Sequence, residues 1–179
     1  MSAIQLLRIG DAADGLIQDL RPILKAEFAA SCEILPSRLD PSFALHAERQ
    51  QHHSTEILAR MKEFVGPGTW RLLGVTGVDL YIPILTFVFG EAQMGNTCAL
   101  VSYHRLRQEF YGLPPDPGLL KDRLIKEAIH ELGHTFDLTH CEDYTCVMAP
   151  SHAVEWIDVK ERSFCPACRE RATARLLSV

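Results

Sequence analysis

The stretch His130-Glu131-Leu132-Gly133-His134-Thr135-Phe136-Asp137-Leu138-Thr139-His140-Cys141 decides how the rest of the chain is read. Two imidazoles four residues apart stand one above the other on a helix face, where both can reach one metal ion. Glu131, one step round from His130, lies beside such a metal without having to bind it. His140 follows His134 by six residues, too far for the same helix to present it, so the chain must turn after the helix. Three neutral imidazoles leave the fourth tetrahedral position of a zinc ion open for water, which is the arrangement of a catalytic site. Zinc lowers the pKa of bound water from about 15.7 to about 7, and Glu131 is placed to take the proton as that water attacks a carbonyl. The expected reaction is hydrolysis of a peptide bond. A five-residue His-Glu-x-x-His match also arises by chance on an amphipathic helix; His140 and the cysteines beyond it lift this one above that background.

Those cysteines form a second constellation. Cys141-x4-Cys146 and Cys165-Pro166-Ala167-Cys168 supply four thiolates from two loops, a set that suits a closed, structural zinc site. Two Zn2+ are therefore expected, one catalytic and one structural. The second pair alone also matches a redox Cys-x-x-Cys, but no thioredoxin-like context surrounds it. Because His140 and Cys141 are adjacent, the two sites share a loop. Cys32 and Cys98 sit in apolar strings and read as small core residues. His46, His52, His53 and His104 read as surface or edge-strand residues, whereas His152 follows the site closely and stays open between the two readings.

Outward from this region the chain is ordinary. Its 179 residues, 47% hydrophobic and 23% charged, suit one soluble domain able to bury a core. Residues 1–139 are expected to form the sheet-and-helix part up to the end of the zinc helix, and residues 140–179 a small part around the second zinc. Eighteen Lys plus Arg against 23 Asp plus Glu give a net charge of -5, with no basic cluster, which argues against a nucleic-acid partner. The first residues lack the charged start and apolar run of a secretory signal, and no stretch approaches a membrane span. A cytoplasmic protein without a membrane partner is expected, and no oligomeric state is read.

Hydrophobic period places a strand over Ile4 to Ile9 and a helix over Ala12 to Ala29, with Leu16, Leu20, Ile23, Leu24 and Phe28 at helical spacing. A second strand, Cys32 to Leu35, is ended by Pro36, and a second helix covers Ala47 to Phe64 until Gly66-Pro67-Gly68 stops it. Three extended segments follow, Trp70 to Val75, Ile84 to Phe89 and Thr97 to His104. The zinc helix runs from about Leu119 to Phe136, and Cys165 to Leu177 opens into a short helix with Ala172 and Leu176 inward. Alternating strands and helices of this length predict an α/β fold, a mixed twisted sheet flanked by helices.

Three histidines and a glutamate followed at once by Cys141, Cys146, Met148, Cys165 and Cys168 resemble the archaemetzincins within the metzincin metallopeptidases. The strings Leu73-Gly-Val-Thr-Gly-Val-Asp-Leu-Tyr81, Phe87-Val-Phe-Gly-Glu-Ala92 and Val101-Ser-Tyr-His-Arg-Leu-Arg107 are similar to that family too, so the likeness spans about residues 70 to 170. It implies a minimal metzincin fold, with the zinc helix under a cleft and Met148 in a Met-turn beneath the imidazoles. It also implies a peptide or protein substrate that pairs with a sheet edge, for which Ile84 to Gly90 is the candidate. The family carries glycine three residues after the second ligand, where this chain has Asp137. That residue either caps the helix end or orients a ligand with its carboxylate. Tyr144 and His152 are candidates to stabilise an oxyanion. The competing reading is a non-catalytic, zinc-containing peptide-binding module, which Asp137 favours and an intact Glu131 opposes.

Overall fold

A computed structural model describes residues 3–176 of the chain. Its elements, in order, are β1 (Ala3–Ile9), α1 (Asp14–Phe28), β2 (Ser31–Leu39), β3 (Leu45–His46), β4 (Gln51–His53), α2 (Ser54–Met61), β5 (Thr69–Thr76), β6 (Leu80–Tyr81), β7 (Gly90–Ala92), β8 (Cys98–Ser102), α3 (Pro117–Thr135), α4 (Val154–Asp158) and α5 (Pro166–Leu176). The main sheet has the order β2-β1-β5-β8-β7. Its first four strands are parallel, and β7 pairs antiparallel with β8 at the open edge. The strands β3, β4 and β6 form a small second sheet.

The parallel strands read as continuous apolar runs because both their faces are covered. Leu73, Val75, Ala99 and Val101 face α1 and α3, packing with Leu20, Leu24, Ile125 and Ile129. Their neighbours Leu72, Cys98 and Leu100 point the other way, against Ile57, Leu58 and Met61 of α2. Cys32 and Cys98 are buried free thiols, one on each side, as small core residues should be. Ala172 of α5 is buried; the side chain of Leu176 lies outside the described residues.

Three expectations are corrected. β2 passes through Pro36 to Leu39, because it is an edge strand and the register with β1 shifts between Leu6 and Arg8, where a missing N–H costs little. Ala47 to Phe64 is not one helix: a turn with Gln50 at φ 54° joins β3 to β4, and helical packing begins only at Ser54. Ile84 to Phe89 is not a strand. Pro83 sits in a turn closed by the Leu85 N–H on the Ile82 carbonyl, and Ile84 is 86% exposed, so the edge of the sheet falls at Gly90–Ala92 instead.

The zinc helix expected at about Leu119 to Phe136 is α3. Pro117 occupies its first position and the Asp116 carboxylate accepts the Leu119 N–H at 2.9 Å, a satisfied N-cap.

Candidate metal centre and active site

One face of α3 carries Glu127, His130, Glu131 and His134, and all four line a cleft of about 520 Å3 that runs along the open edge of the sheet. Two carbonyls set the ring orientations. His130 Nδ1 donates to the Val147 carbonyl at 2.8 Å and His134 Nδ1 to the Leu138 carbonyl at 2.7 Å. With the proton on Nδ1, each Nε2 presents a lone pair, and these two nitrogens stand 3.1 Å apart. Facing lone pairs repel unless a cation lies between them. Two nitrogen ligands on tetrahedral zinc at about 2.0–2.1 Å would be separated by roughly 3.3 Å. His140 completes the triad from beyond the helix, and one ligating nitrogen from each ring lies within 4.8 Å of the others. Burial pushes all three imidazoles down in pKa, His130 well below the ordinary value, so they are neutral and ready as ligands.

The turn that delivers His140 explains Asp137. This residue has φ 63°, its N–H donates to the His134 carbonyl at 2.9 Å, and the Leu138 N–H reaches the Gly133 carbonyl at 3.3 Å. That is a Schellman ending with Asp137 at the left-handed position usually given to glycine. Aspartate tolerates this conformation better than most residues, so the helix ends where it must. The hairpin between β7 and β8 also grips it, through the Gly95 N–H on the His134 carbonyl at 3.0 Å.

Glu131 is buried between α3 and the sheet edge. Its room comes from Gly90: a Cβ there would stand 2.7 Å from Glu131 Cγ and Oε1 and 2.5 Å from the Leu100 carbonyl oxygen. Burial drives its carboxyl well above the usual carboxylate range, with the charges of Glu127 and Glu91 adding and that of Lys160 opposing. A bound dication would reverse much of this.

Met148 is fully buried under the helix. A Cβ at Gly133 would collide with its sulfur, and its carbonyl accepts the Cys141 N–H at 3.0 Å, tying this turn to the loop of His140. Cys141, Cys146, Cys165 and Cys168 converge beside it with sulfurs within 4.8 Å of one another. The Cys141 and Cys165 sulfurs lie 3.8 Å apart, about the spacing that zinc–sulfur bonds of about 2.3 Å impose. Cys146 Sγ accepts the N–H groups of Met148 and Cys165 at 3.4 and 3.3 Å, and the Arg171 guanidinium donates to Cys168 Sγ at 3.1 Å. The backbone amide of Cys168 lowers the Cys165 thiol, while burial raises Cys146 and pushes Cys168 up to about 12. The donors therefore fit a thiolate-binding cation.

His152 lines the cleft at its exposed rim, edge-to-face with Trp156 at 5.3 Å. Tyr144 lines a neighbouring concavity with Trp156 and Val159 and does not reach the cleft. Sequence reasoning missed Glu127, Ser151 and Lys160. Glu127 had a signal, since it lies three residues before His130 on the same face; Lys160 had none, because only the fold brings it under α3.

The sequence model of peptidase family M54 matches residues 48–173. The chain belongs to peptidase family M54. Its M54 relatives include the archaemetzincin of Methanocaldococcus jannaschii, 41% identical over 167 residues that cover 93% of this chain and 90% of that one. The archaemetzincin of Thermococcus kodakarensis is 38% identical over 186 residues, covering 100% and 99%. The crystal structure of archaemetzincin from Methanopyrus kandleri matches with a TM-score of 0.83 at 32% identity, over 98% of this chain and 96% of that one. A zinc-dependent peptidase from Methanocorpusculum labreanum matches with 0.85 at 30% identity, over 95% and 100%. This M54 chain is thus a zinc-dependent metallopeptidase with the archaemetzincin fold.

Proposed function

We propose that His130, His134 and His140 hold the catalytic zinc, that Cys141, Cys146, Cys165 and Cys168 hold a second, structural zinc, and that Glu131 is the general base of peptide-bond hydrolysis. The observation that carries this is the placement of the Glu131 carboxylate on the face of the two imidazoles, in the gap that Gly90 leaves at the sheet edge. Bound zinc supplies Lewis acidity there, polarising the peptide carbonyl and making a water acidic near neutral pH. Glu131 takes the proton of the attacking water and returns it to the departing amine. The carbonyls of Val147 and Leu138 hold the imidazoles in the tautomer that presents Nε2. Met148 packs under Gly133 of the helix and follows Val147, whose carbonyl holds the ring of His130. β7, with no strand on its outer side among the described residues, offers its backbone to an extended peptide or protein substrate.

The binding-module alternative rested on Asp137, and the Schellman ending removes that ground because the helix turns normally. We assign the chain to the minimal metzincin type, as a single domain made of a sheet-and-helix part, residues 1–139, that includes the zinc helix, and a small C-terminal part, residues 140–179. One continuous core running from Ile4 to Ala172 supports this. No helix among the described residues is long and apolar enough to cross a membrane, and a cytoplasmic location is part of the proposal. The test is turnover of a diverse fluorogenic peptide library by the zinc-loaded protein and by Glu131→Gln. The native protein should cleave and the variant should lose about 100-fold or more in kcat with zinc retained; equal turnover in both would remove Glu131 from this role.

A further inference from the structure

Hydrolysis leaves part of the polar chemistry of the cleft unused. Glu127 lies four residues, about 6 Å along the axis, before Glu131, lines the same cleft, and has a side chain only 3% exposed. Behind it, the Lys160 ammonium stands 3.4 Å from Oε1 and 3.3 Å from the Val147 carbonyl, with 1% exposure and no part in the cleft wall. A carboxylate offers about four acceptor positions. One long bond from the core side leaves acceptor capacity on a carboxylate that lines the cleft. Beside it the Ser151 hydroxyl is buried in the same wall, close to the Glu127 carboxylate. Among the described residues that line the cleft, Glu91, Glu127 and Glu131 are carboxylates and none is Lys or Arg. Glu91 is already engaged by the hydroxyls of Ser54 and Thr55.

We propose that Glu127 is a specificity-determining residue that selects peptides carrying Lys or Arg next to the bond cleaved. A basic side chain there donates to the Glu127 carboxylate and can use the Ser151 hydroxyl as a further partner. An apolar side chain covers the remaining acceptors of Glu127 without replacing the solvent they lose, and a site built to hydrogen-bond discriminates strongly against analogues that cannot. An acidic side chain meets like charge. The inference rests on the peptidase reading above, because it takes the cleft between α3 and β7 as the substrate site.

Two measurements on the intact, zinc-loaded protein test it. The first is cleavage of an unbiased peptide library with mass-spectrometric readout of the residues on both sides of each cut. Lys and Arg should be enriched at one of these positions, and a preference for apolar residues at both would overturn the proposal. The second reads the pocket without turnover, through the binding of two peptidic hydroxamates that differ only in carrying a Lys or a Leu side chain beside the hydroxamate. The Lys probe should bind at least about tenfold tighter, and Glu127→Gln should bring the two within about twofold. Since Glu127→Gln strands the Lys160 charge, the double variant Glu127→Gln/Lys160→Met is measured beside it and should also lose the preference. Equal or tighter binding of the Leu probe to the native protein, or a preference that survives both variants, overturns the role of Glu127. Failure of both probes on zinc-loaded protein would sink the cleft as the substrate site and this inference with it. Discrimination between the probes without cleavage of any peptide would leave Glu127 standing and count against Glu131 as base.

Discussion

At the scale of single residues, protonation separates the two constellations. The histidines are held below their ordinary pKa of 6.5 by burial, so they are already deprotonated at pH 7.5 and release nothing on taking a metal. Cys146 and Cys168 are held above their ordinary 9.0, so they are protonated there and must lose protons to bind. The sign follows: as pH falls, affinity of the cysteine quartet drops more steeply than that of the histidine triad. Zinc titrations against a competing chelator between about pH 6.8 and 8, a window above the ordinary histidine pKa, should give the larger slope for the quartet. Equal slopes would contradict these environments. Asp137 offers a second check. In the left-handed region a residue with a Cβ is strained by roughly 1–2 kcal/mol relative to glycine, offset by the greater entropy of glycine in the unfolded chain. Asp137→Gly should therefore leave thermal stability unchanged or raise it by up to about 1 kcal/mol, with zinc content unaltered. Lost zinc would show that the carboxylate orients a ligand.

At the scale of elements, β7 and the loop of His140 are the sensitive joints. Gly90→Ala should push on both Glu131 and the Leu100 carbonyl, lowering kcat at least about tenfold while zinc stays bound. Unchanged kcat would mean that the base is not held by this edge. The Cys141 N–H bond to the Met148 carbonyl couples the quartet to the triad. Cys165→Ser/Cys168→Ser should then cost one zinc and also weaken the catalytic one; full activity with unaltered catalytic zinc affinity would end that coupling. The elements that sequence alone made legible were those whose period and ends agreed. β1, α1, β5, β8 and α3 have apolar residues at one clear spacing, and α3 is bounded by Asp116-Pro117 and by the turn at Asp137. Ile84 to Phe89 had strand composition but gains only an isolated bridge, from Val88 to Leu80: Pro83 turns the chain away and leaves Ile84 in solvent, a tertiary outcome that β-propensity does not carry. Ala47 to Phe64 failed because Gln50 takes a positive φ in a turn that no glycine marked. Of the candidate site, the convergence of the three histidines and of the four cysteines, and the place of Glu131 beside them, were readable because helix spacing and cysteine spacing are local. Lys160, Ser151 and the Val147 carbonyl were not, since the course of the chain after Cys146 puts them there.

At the scale of the whole molecule, α3 is the wall that the cleft and the core share. Its end packs into an aromatic group in which Phe136 meets Phe28 at 5.5 Å and Trp70 at 5.0 Å between ring centroids, and Phe28 also meets Phe164 beside Cys165. Phe28→Ala should therefore lower unfolding stability by about 3–5 kcal/mol, read by denaturant titration of the zinc-loaded protein. A loss under about 1 kcal/mol would mean that α1 does not brace the metal-bearing half. The central claim is that one fold holds two zinc ions on the donor sets named, one open for catalysis and one closed. Anomalous scattering from a crystal of the protein, measured on both sides of the zinc absorption edge, tests it most directly. Two zinc peaks are predicted, one among the Nε2 atoms of His130 and His134 and a ring nitrogen of His140, the other among the four cysteine sulfurs. A single peak, or a triad filled by a fourth protein ligand in place of solvent, would contradict the account.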